Sequence, residues 1–312
     1  MNRSRPSGTG FGALRAAAPY LRLYRGRVFV VKLGGEVLSR SSRMEALVEQ
    51  AGVLQALGVR VVIVHGGGPQ STELTGRLKH KARMVAGRRV TGLEDLKVAS
   101  YVLNGEVNTQ LLAACRACGI PAVGLSGVDA GLITAHRRPP VKMEGAGDEP
   151  VDFGFVGDID AVDPAVLKLT LGEGMIPVVS PLSADSEGKL LNINADTVAA
   201  SLAVGLKAEK LVLTMAAPGI LQDRSDPSTL VSYLDLAGLR KLREQGALGD
   251  GMLPKATAIE SAIAGGVPRV HLVSGSMQDA LLREVFTNEG CGTLVVRSID
   301  ALSDAEQEAA KQ

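Results

Sequence analysis

An α/β fold built on a mostly parallel sheet is what this 312-residue sequence predicts, and three observations carry that expectation. Short β-rich apolar runs alternate with longer helical stretches from Val28 onward, the rhythm of strand–helix–strand units. The strand candidates are apolar at consecutive positions, as in Val28–Leu33 (VFVVKL) and Arg60–His65 (RVVIVH), the signature of strands covered on both faces. Glycine, at 37 residues, is about 12% of the chain against roughly 7% in an average protein, and it gathers where those runs end.

In chain order, the first 35 residues carry seven Lys/Arg and no Asp/Glu. Residues 1–10 (MNRSRPSGTG) read as disordered, being polar and lacking apolar side chains beyond Met1 and Pro6. Phe11–Tyr24 reads as a helix inside an N-terminal segment 11–27. With no apolar h-region it is not a secretory signal, and a docking helix and a basic transit peptide account for it equally well. Val28–Leu33 is the first strand. Ser42-x-x-Glu45 has the spacing of a capping box and predicts a helix running to Gly58. Arg60–His65 is the second strand, a long helical stretch covers Leu93–Cys118, and Ala122–Leu125 is a short strand. Residues 135–158 interrupt the rhythm. There Pro139, Pro140 and the Glu144–Pro150 stretch separate two short β-like pieces, which predicts a protruding hairpin. A helix at Pro164–Glu173, the strand Ile176–Ser180, a turn at Asp185–Gly188 and a helix over Ala195–Val204 follow. Lys210–Thr214, Arg269–Val273 and Thr293–Val296 are further strands, and 298–312 is a polar, acidic tail.

Thirty-four basic and 33 acidic side chains leave a formal charge of +1, without the basic excess of a nucleic-acid binder. No apolar run nears the ~20 residues of a membrane span. At 46% hydrophobic and 21% charged residues, the chain can bury a large core, in about two domains. Three cysteines make no disulfide framework and fit a reducing cytosol. Cys115-x-x-Cys118 has no second pair, and His65, His80, His136 and His271 are scattered, so no metal held by protein ligands is expected.

Four motifs carry chemistry. Val31-Lys32-Leu33-Gly34-Gly35 ends a strand on a lysine and two glycines, which lets backbone N–H groups approach an anion beside a fixed positive charge. An ordinary strand-to-helix turn with a surface lysine has the same spelling. His65-Gly66-Gly67-Gly68-Pro69-Gln70 sets three glycines, costly in chain entropy for a mere connector, ahead of a proline suited to the first turn of a helix. Gly249-Asp250-Gly251-Met252-Leu253-Pro254-Lys255 leads glycines into a helix with a lysine in its first turn. It is not a Walker A, and no kinase-type Gly-rich loop with H-R-D and D-F-G occurs. In Leu191-Asn192-Ile193-Asn194-Ala195-Asp196 the polar residues alternate, so Asn192, Asn194 and Asp196 share a face while the segment is extended. Capping of the next helix by Asn194 is the competing role.

Taken in order, with Gly87-Arg88-Arg89-Val90-Thr91, Gly124-Leu125-Ser126-Gly127 and Gly154–Gly157 between them, these motifs resemble those of the amino acid kinase family. The likeness is to its members acting on N-acetyl-L-glutamate and covers residues 11–297. It implies a three-layer αβα sandwich of two lobes, 28–205 holding the acyl amino acid and 206–297 holding ATP with Mg2+. It implies that Gly67, Gly68, Arg89 and Asn192 bind N-acetyl-L-glutamate, with Arg89 pairing the α-carboxylate through a planar, bidentate guanidinium. Lys32 and Lys255 then neutralise the transferring phosphoryl group and Asp196 holds the two lysines in place. Gly34, Gly35, Thr214, Gly251 and Met252 fall where the family contacts the nucleotide. A γ-carboxylate nucleophile, with an ordinary pKa of about 4.3, is already ionised at neutral pH and needs no general base.

The N-terminal helix around Pro19-Tyr20-Leu21 and the run from His271 through Glu284 to Gly290-Cys291-Gly292-Thr293 resemble the arginine-inhibited branch of that family. This implies feedback inhibition by arginine, with His271, Glu284 and Gly290 as effector contacts, and a homo-oligomer, dimer or hexamer. There are departures from the family pattern. Met215 stands where aspartate is common after Leu213-Thr214, Asp250 replaces a glycine, and Val128 stands where lysine is frequent. The first two bear on the nucleotide side. Two other activities share the motifs: a kinase for a carrier-protein-linked aminoadipate or glutamate, and a non-catalytic, arginine-binding regulatory domain. No nucleic-acid or membrane partner is expected, and the expected compartment is the cytoplasm.

Overall fold

The computed structural model describes residues 9–80, 83–85, 88–142, 149–223, 225–249, 251–287 and 290–301. Helix α1 (Thr9–Tyr24) leads into β1 (Val28–Leu33), the one-turn α2 (Gly35–Leu38), α3 (Ser41–Ala56) and β2 (Arg60–His65). Next come α4 (Gly68–Arg77), the small hairpin β3 (Met84–Val85) and β4 (Arg88–Arg89), α5 (Leu93–Ser100), a π-helical stretch Tyr101–Val107 and α6 (Asn108–Ala117). The chain continues through β5 (Ala122–Ser126), β6 (Ile133–Arg137), β7 (Gly157–Val162), α7 (Ala165–Gly172), β8 (Ile176–Ser180), β9 (Leu182–Ala184), β10 (Leu190–Asn192) and α8 (Ala195–Gly205). It closes with β11 (Lys210–Met215), β12 (Tyr233–Asp235), α9 (Leu236–Glu244), α10 (Leu253–Ala264), β13 (Arg269–Ser274), α11 (Ala280–Phe286) and β14 (Thr293–Val296).

Eight strands form the central sheet in the order β12-β14-β13-β11-β1-β2-β8-β5. Every neighbouring pair is parallel except β13 with β14. A second sheet, β10-β9-β6-β7, carries the expected hairpin as β6 and β7. Side chains of β1 explain the layering. Phe29, Val31 and Leu33 enter one core with α3, α6 and α11, while Val30 enters the other with α8 and α10. A strand covered on both faces has no polar face to display, which is why the apolar runs do not alternate. The period of two puts Lys32 on the Val30 face, toward α8.

Local expectations shift in three places. Thr9 and Gly10 are already helical, so α1 starts inside the segment expected to be disordered; residues 1–8 and 302–312 lie outside the described residues. The Ser42–Glu45 capping box does not open α3. The chain leaves α2 bent so that the Arg40 carbonyl already accepts the Arg43 and Met44 amides, and Ser42 sits inside the first turn. The long helix expected over Leu93–Cys118 is continuous but widens to π geometry at Tyr101–Val107, a local change often found beside functional sites.

Candidate active site

The chain runs from β1 to β2 on one side and reaches β11 on the other, so the carboxyl ends of these strands border the crevice where an open α/β sheet binds ligands. There a cleft of about 830 Å³ is lined by Lys32, Gly34, Gly35 and Gly66–Gly68, by Asn192 and Asn194–Asp196, and by Thr214, Gly251, Met252 and Lys255. Three helices begin on it: α4 at Gly68, α8 at Ala195 and α10 at Leu253. Their N-termini carry partial positive charge and unsatisfied N–H groups, so the cleft attracts anions before any side chain is counted.

Three charged side chains meet at its floor. Lys32 Nζ lies 2.8 Å from Asp196 Oδ1, and Lys255 Nζ lies 2.8 Å from Asp196 Oδ2. Lys32 and Asp196 are only 6% and 4% exposed. Asn194 caps α8 by accepting the Asp196 and Thr197 amides, and so fixes the turn from which the carboxylate projects. Burial alone would raise the Asp196 pKa, but the charges of Lys32 and Lys255 outweigh it and hold the carboxyl below its ordinary value. Burial pushes Lys32 down, opposed by Asp196 and reinforced by the neighbouring Lys255 charge. One anion thus holds two cations, leaving the group with a net positive charge that faces the cleft.

The glycines play different parts. A Cβ at Gly35 would come within 2.9 Å of Pro69 Cδ, and one at Gly67 within 2.8 Å of Leu103 Cδ2, so these two let the loops pack against each other and against the π-helical stretch. At Gly68 and Gly251 a Cβ would meet nothing within 4 Å; both border open cleft. Gly34 lines the cleft, and its amide donates to Thr214 Oγ1 at 3.1 Å. Residues at the adjacent ends of β1 and β11 are close enough to satisfy each other, so this N–H clasps the two strands. Asn192 lines the cleft, and its amide donates to the Phe155 carbonyl.

Arg89 takes its place on β4 opposite Met84, which lines the cleft; its side chain, and all of Gly87 and Asp250, lie outside the described residues. Met215 ends β11 at the cleft and packs on the core. Sequence reasoning missed several contributors. Ile220, Leu221 and Leu248 give the 206–297 side of the cleft an apolar wall, and as loop residues of ordinary type they carry no spacing signal. His65, buried, hydrogen-bonds the Gly66 carbonyl through Nδ1 and Asn108 Nδ2 through Nε2, each at 3.1 Å. Burial pushes its pKa down to about 4, so the ring is neutral with its proton on Nδ1.

His271, Glu284 and Gly290 come together elsewhere. They line a second, small cavity of about 40 Å³ with Tyr20, Tyr24 and Lys210. Lys210 Nζ lies 2.9 Å from His271 Nε2, and His271 Nδ1 lies 2.7 Å from Glu284 Oε1. Glu284 Oε2 accepts the Cys291 and Gly292 amides. Burial and the Lys210 charge push His271 down to about 4. Burial opposes ionisation of Glu284, yet its bonds from His271 and the Cys291 amide hold it at about 2. Helix α1 closes this cavity: Lys210 Nζ sits 5.0 Å from the Tyr24 ring centroid, and that ring packs edge-on against Phe29.

Cys115 is buried, Cys118 exposed and Cys291 intermediate, all as free thiols. Among the described residues no group of three or more His, Cys, Asp or Glu is placed to hold a metal ion, and no helix is long and apolar enough to cross a membrane.

Comparison with known proteins adds an independent line. A model of the amino acid kinase family matches residues 27–274. Acetylglutamate kinase of Myxococcus xanthus (strain DK1622) is 50% identical over 290 residues, 92% of this chain and 94% of that protein. The Moorella thermoacetica acetylglutamate kinase is 39% identical over 285 residues, 91% of this chain and 96% of that protein. Among solved structures, N-acetylglutamate synthase from Neisseria gonorrhoeae complexed with coenzyme A and N-acetyl-glutamate superposes with a TM-score of 0.79 at 30% identity over 92% of this chain. The same synthase complexed with coenzyme A and L-arginine superposes at 0.78 with 29% identity. This chain spans 63% and 65% of the length of those two synthase chains.

Proposed function

The chain belongs to the amino acid kinase family, and from that premise we propose that it transfers the γ-phosphoryl group of ATP to the γ-carboxylate of N-acetyl-L-glutamate, giving N-acetyl-L-glutamyl 5-phosphate for arginine biosynthesis. The observation that carries the reading is the Lys32–Asp196–Lys255 bridge at the floor of a cleft onto which three helix N-termini open. The nucleophile is ionised without help, so the protein's task is alignment and neutralisation of charge. Lys32 and Lys255, held at one spacing by Asp196, offer their ammonium groups to the phosphoryl oxygens as negative charge redistributes toward the leaving β-phosphate. Asp196 acts as an organiser and not as a base, because two lysines ion-pair with it and hold its pKa below the ordinary value. It is not offered as a metal ligand, and Mg2+ carried by ATP would supply further screening of the phosphate charge.

Gly67, Gly68, Arg89 and Asn192 are assigned to N-acetyl-L-glutamate. Gly34, Gly35, Thr214, Gly251 and Met252 are assigned to ATP, with Ile220 and Leu248 as an apolar wall for the base. The bond from the Gly34 amide to Thr214 also clasps β1 to β11 at this end of the site. On this division residues 28–205 serve the acyl amino acid and 206–297 the nucleotide. The second cavity, which brings His271, Glu284 and Gly290 together, supports a further part of the reading: arginine inhibits the enzyme by binding there. The helix α1 that closes this cavity is the proposed joint of a homo-oligomer, in the cytoplasm. An assay of ADP release with ATP and, separately, N-acetyl-L-glutamate, L-glutamate and carrier-linked aminoadipate or glutamate tests the assignment. Turnover with N-acetyl-L-glutamate far above the others is expected. Preference for a carrier-linked substrate, or arginine binding without any turnover, would overturn it.

A further inference from the structure

Asp95 has no part in the chemistry above, yet it is 7% exposed and lines the cleft. A buried carboxylate at the edge of a site for an acidic ligand is costly, since it must be desolvated and it repels what the site is to bind. Its partners give it a purpose. Oδ2 accepts the Gly92 amide at 3.1 Å, reaching back from the first turn of α5 to the residue that caps it. Oδ1 lies 3.3 Å from Nε2 of His80 without making a hydrogen bond, a contact that becomes an ion pair when the imidazole is protonated. His80 precedes β3 and Gly92 follows β4, so one carboxylate ties both roots of the hairpin that carries Arg89.

Among the described residues, the hairpin's own pairing is short. Its strands are two residues each, paired Met84 with Arg89 and Val85 with Arg88, and the Val90 amide donates to the Arg83 carbonyl. Isolated two-stranded hairpins are marginal in water, so position must come from the roots. On the C-terminal side the roots also meet the substrate end of the cleft. The Thr91 amide donates to the Phe153 carbonyl at 2.9 Å, the Phe155 amide to the Thr91 carbonyl at 2.8 Å, and the Asn192 amide to the Phe155 carbonyl at 2.8 Å. Met84 and Thr91, on either side of Arg89, both line the cleft.

We infer that Asp95, paired with His80, is a positioning residue that sets the acyl-amino-acid end of the cleft by holding both roots of the Arg89 hairpin. The inference rests on the kinase reading, and its effect is on the KM for N-acetyl-L-glutamate. In steady-state assays of the full chain, Asp95→Ala is expected to raise that KM about tenfold while kcat and the KM for ATP stay within about twofold. Asp95→Asn keeps an acceptor for the Gly92 amide and should recover most of the loss. His80→Ala should raise the same KM about threefold. Because Asp95 acts through Arg89, adding Asp95→Ala to Arg89→Ala should raise KM no further than Arg89→Ala alone. Additive effects, an equal loss in kcat, or a lowered Tm with KM unmoved would each overturn the inference. Should Asp95→Ala fail to fold, the partly exposed His80 carries the test, and an unchanged KM in His80→Ala overturns it. A wild-type chain inactive on N-acetyl-L-glutamate overturns the kinase reading and this inference with it; a normal wild type with unmoved variants overturns the inference alone.

Discussion

Asp196 shows how one side chain can be both costly and necessary. A buried carboxylate left alone is penalised by several kcal/mol, and removing one partner of a buried pair typically costs about 3–5 kcal/mol. Two lysines at 2.8 Å offset that burial and are themselves held at a spacing that solvent-exposed lysines do not keep. Asp196→Asn preserves the shape but releases the lysines. Its kcat should fall about 100- to 1,000-fold with the KM for ATP changed only a few-fold, measured by ADP release; Lys32→Ala should behave in the same way. A loss confined to the KM for ATP would instead make the trio a nucleotide anchor. His65 supports a second prediction at this scale. Its pKa is lowered from 6.5 to about 4 in the fold, so between these values the unfolded chain binds the extra proton. Stability from this group is therefore complete above pH 6.5 and is lost as the pH falls toward 4, by an amount on the order of 3 kcal/mol. Thermal unfolding followed from pH 8 to 4 should show that fall, and His65→Gln should make it shallower by the His65 share, leaving that of His271, which is lowered to the same value. Glu284, held at about 2 against an ordinary 4.5, adds a further loss at lower pH with the same sign.

Among the elements, the extended segment around Gly154 joins parts that are distant in sequence. Its φ is +73°, a conformation L-residues rarely adopt, and a Cβ there would strike the Thr91 carbonyl oxygen. That closeness lets Phe153 and Phe155 bond both sides of Thr91 and pass on to Asn192. Gly154→Ala should therefore destabilise the fold by about 1–3 kcal/mol and raise the KM for N-acetyl-L-glutamate without moving that for ATP. A variant with wild-type Tm and KM would show that the segment yields freely. The π-helical stretch has a comparable role on the other side of the loop. It brings Leu103, Val102 and Val107 against Gly67, while its Asn104 accepts from the Ser180 hydroxyl and the adjoining Asn108 donates to the Val178 carbonyl of β8. Gly67 was legible in the sequence as part of a costly triple glycine. The helix that makes it necessary was legible only as a helix, because nothing in the spacing of Leu93–Cys118 marks where the geometry widens.

At the scale of the molecule, the cleft and the second cavity lie against the same central sheet. β11 contributes Thr214 to the cleft and Lys210 to the cavity, and β13 contributes His271 to the cavity. A ligand at Glu284, which bonds His271 of β13, and a ligand at Lys32 of β1 therefore meet strands that both pair with β11. With arginine as that ligand, activity at subsaturating N-acetyl-L-glutamate should drop at least several-fold at millimolar arginine, and Glu284→Gln should abolish the response with basal kcat little changed. Equal inhibition of wild type and Glu284→Gln would move the effector site elsewhere. The sequence by itself determined the α/β class, because strands buried on both faces must be apolar throughout. It also marked Lys32, Asp196 and Lys255 individually, because a strand-end lysine beside glycines and charged residues in a helix's first turn are local facts. Only the tertiary structure decided that these three share one point, that the Gly34 amide is committed to Thr214, and that Asp95 bridges Gly92 and His80. Those contacts depend on which strands pair and which helices land beside them, and burial then fixes which charges must find each other, a condition that local spacing cannot express.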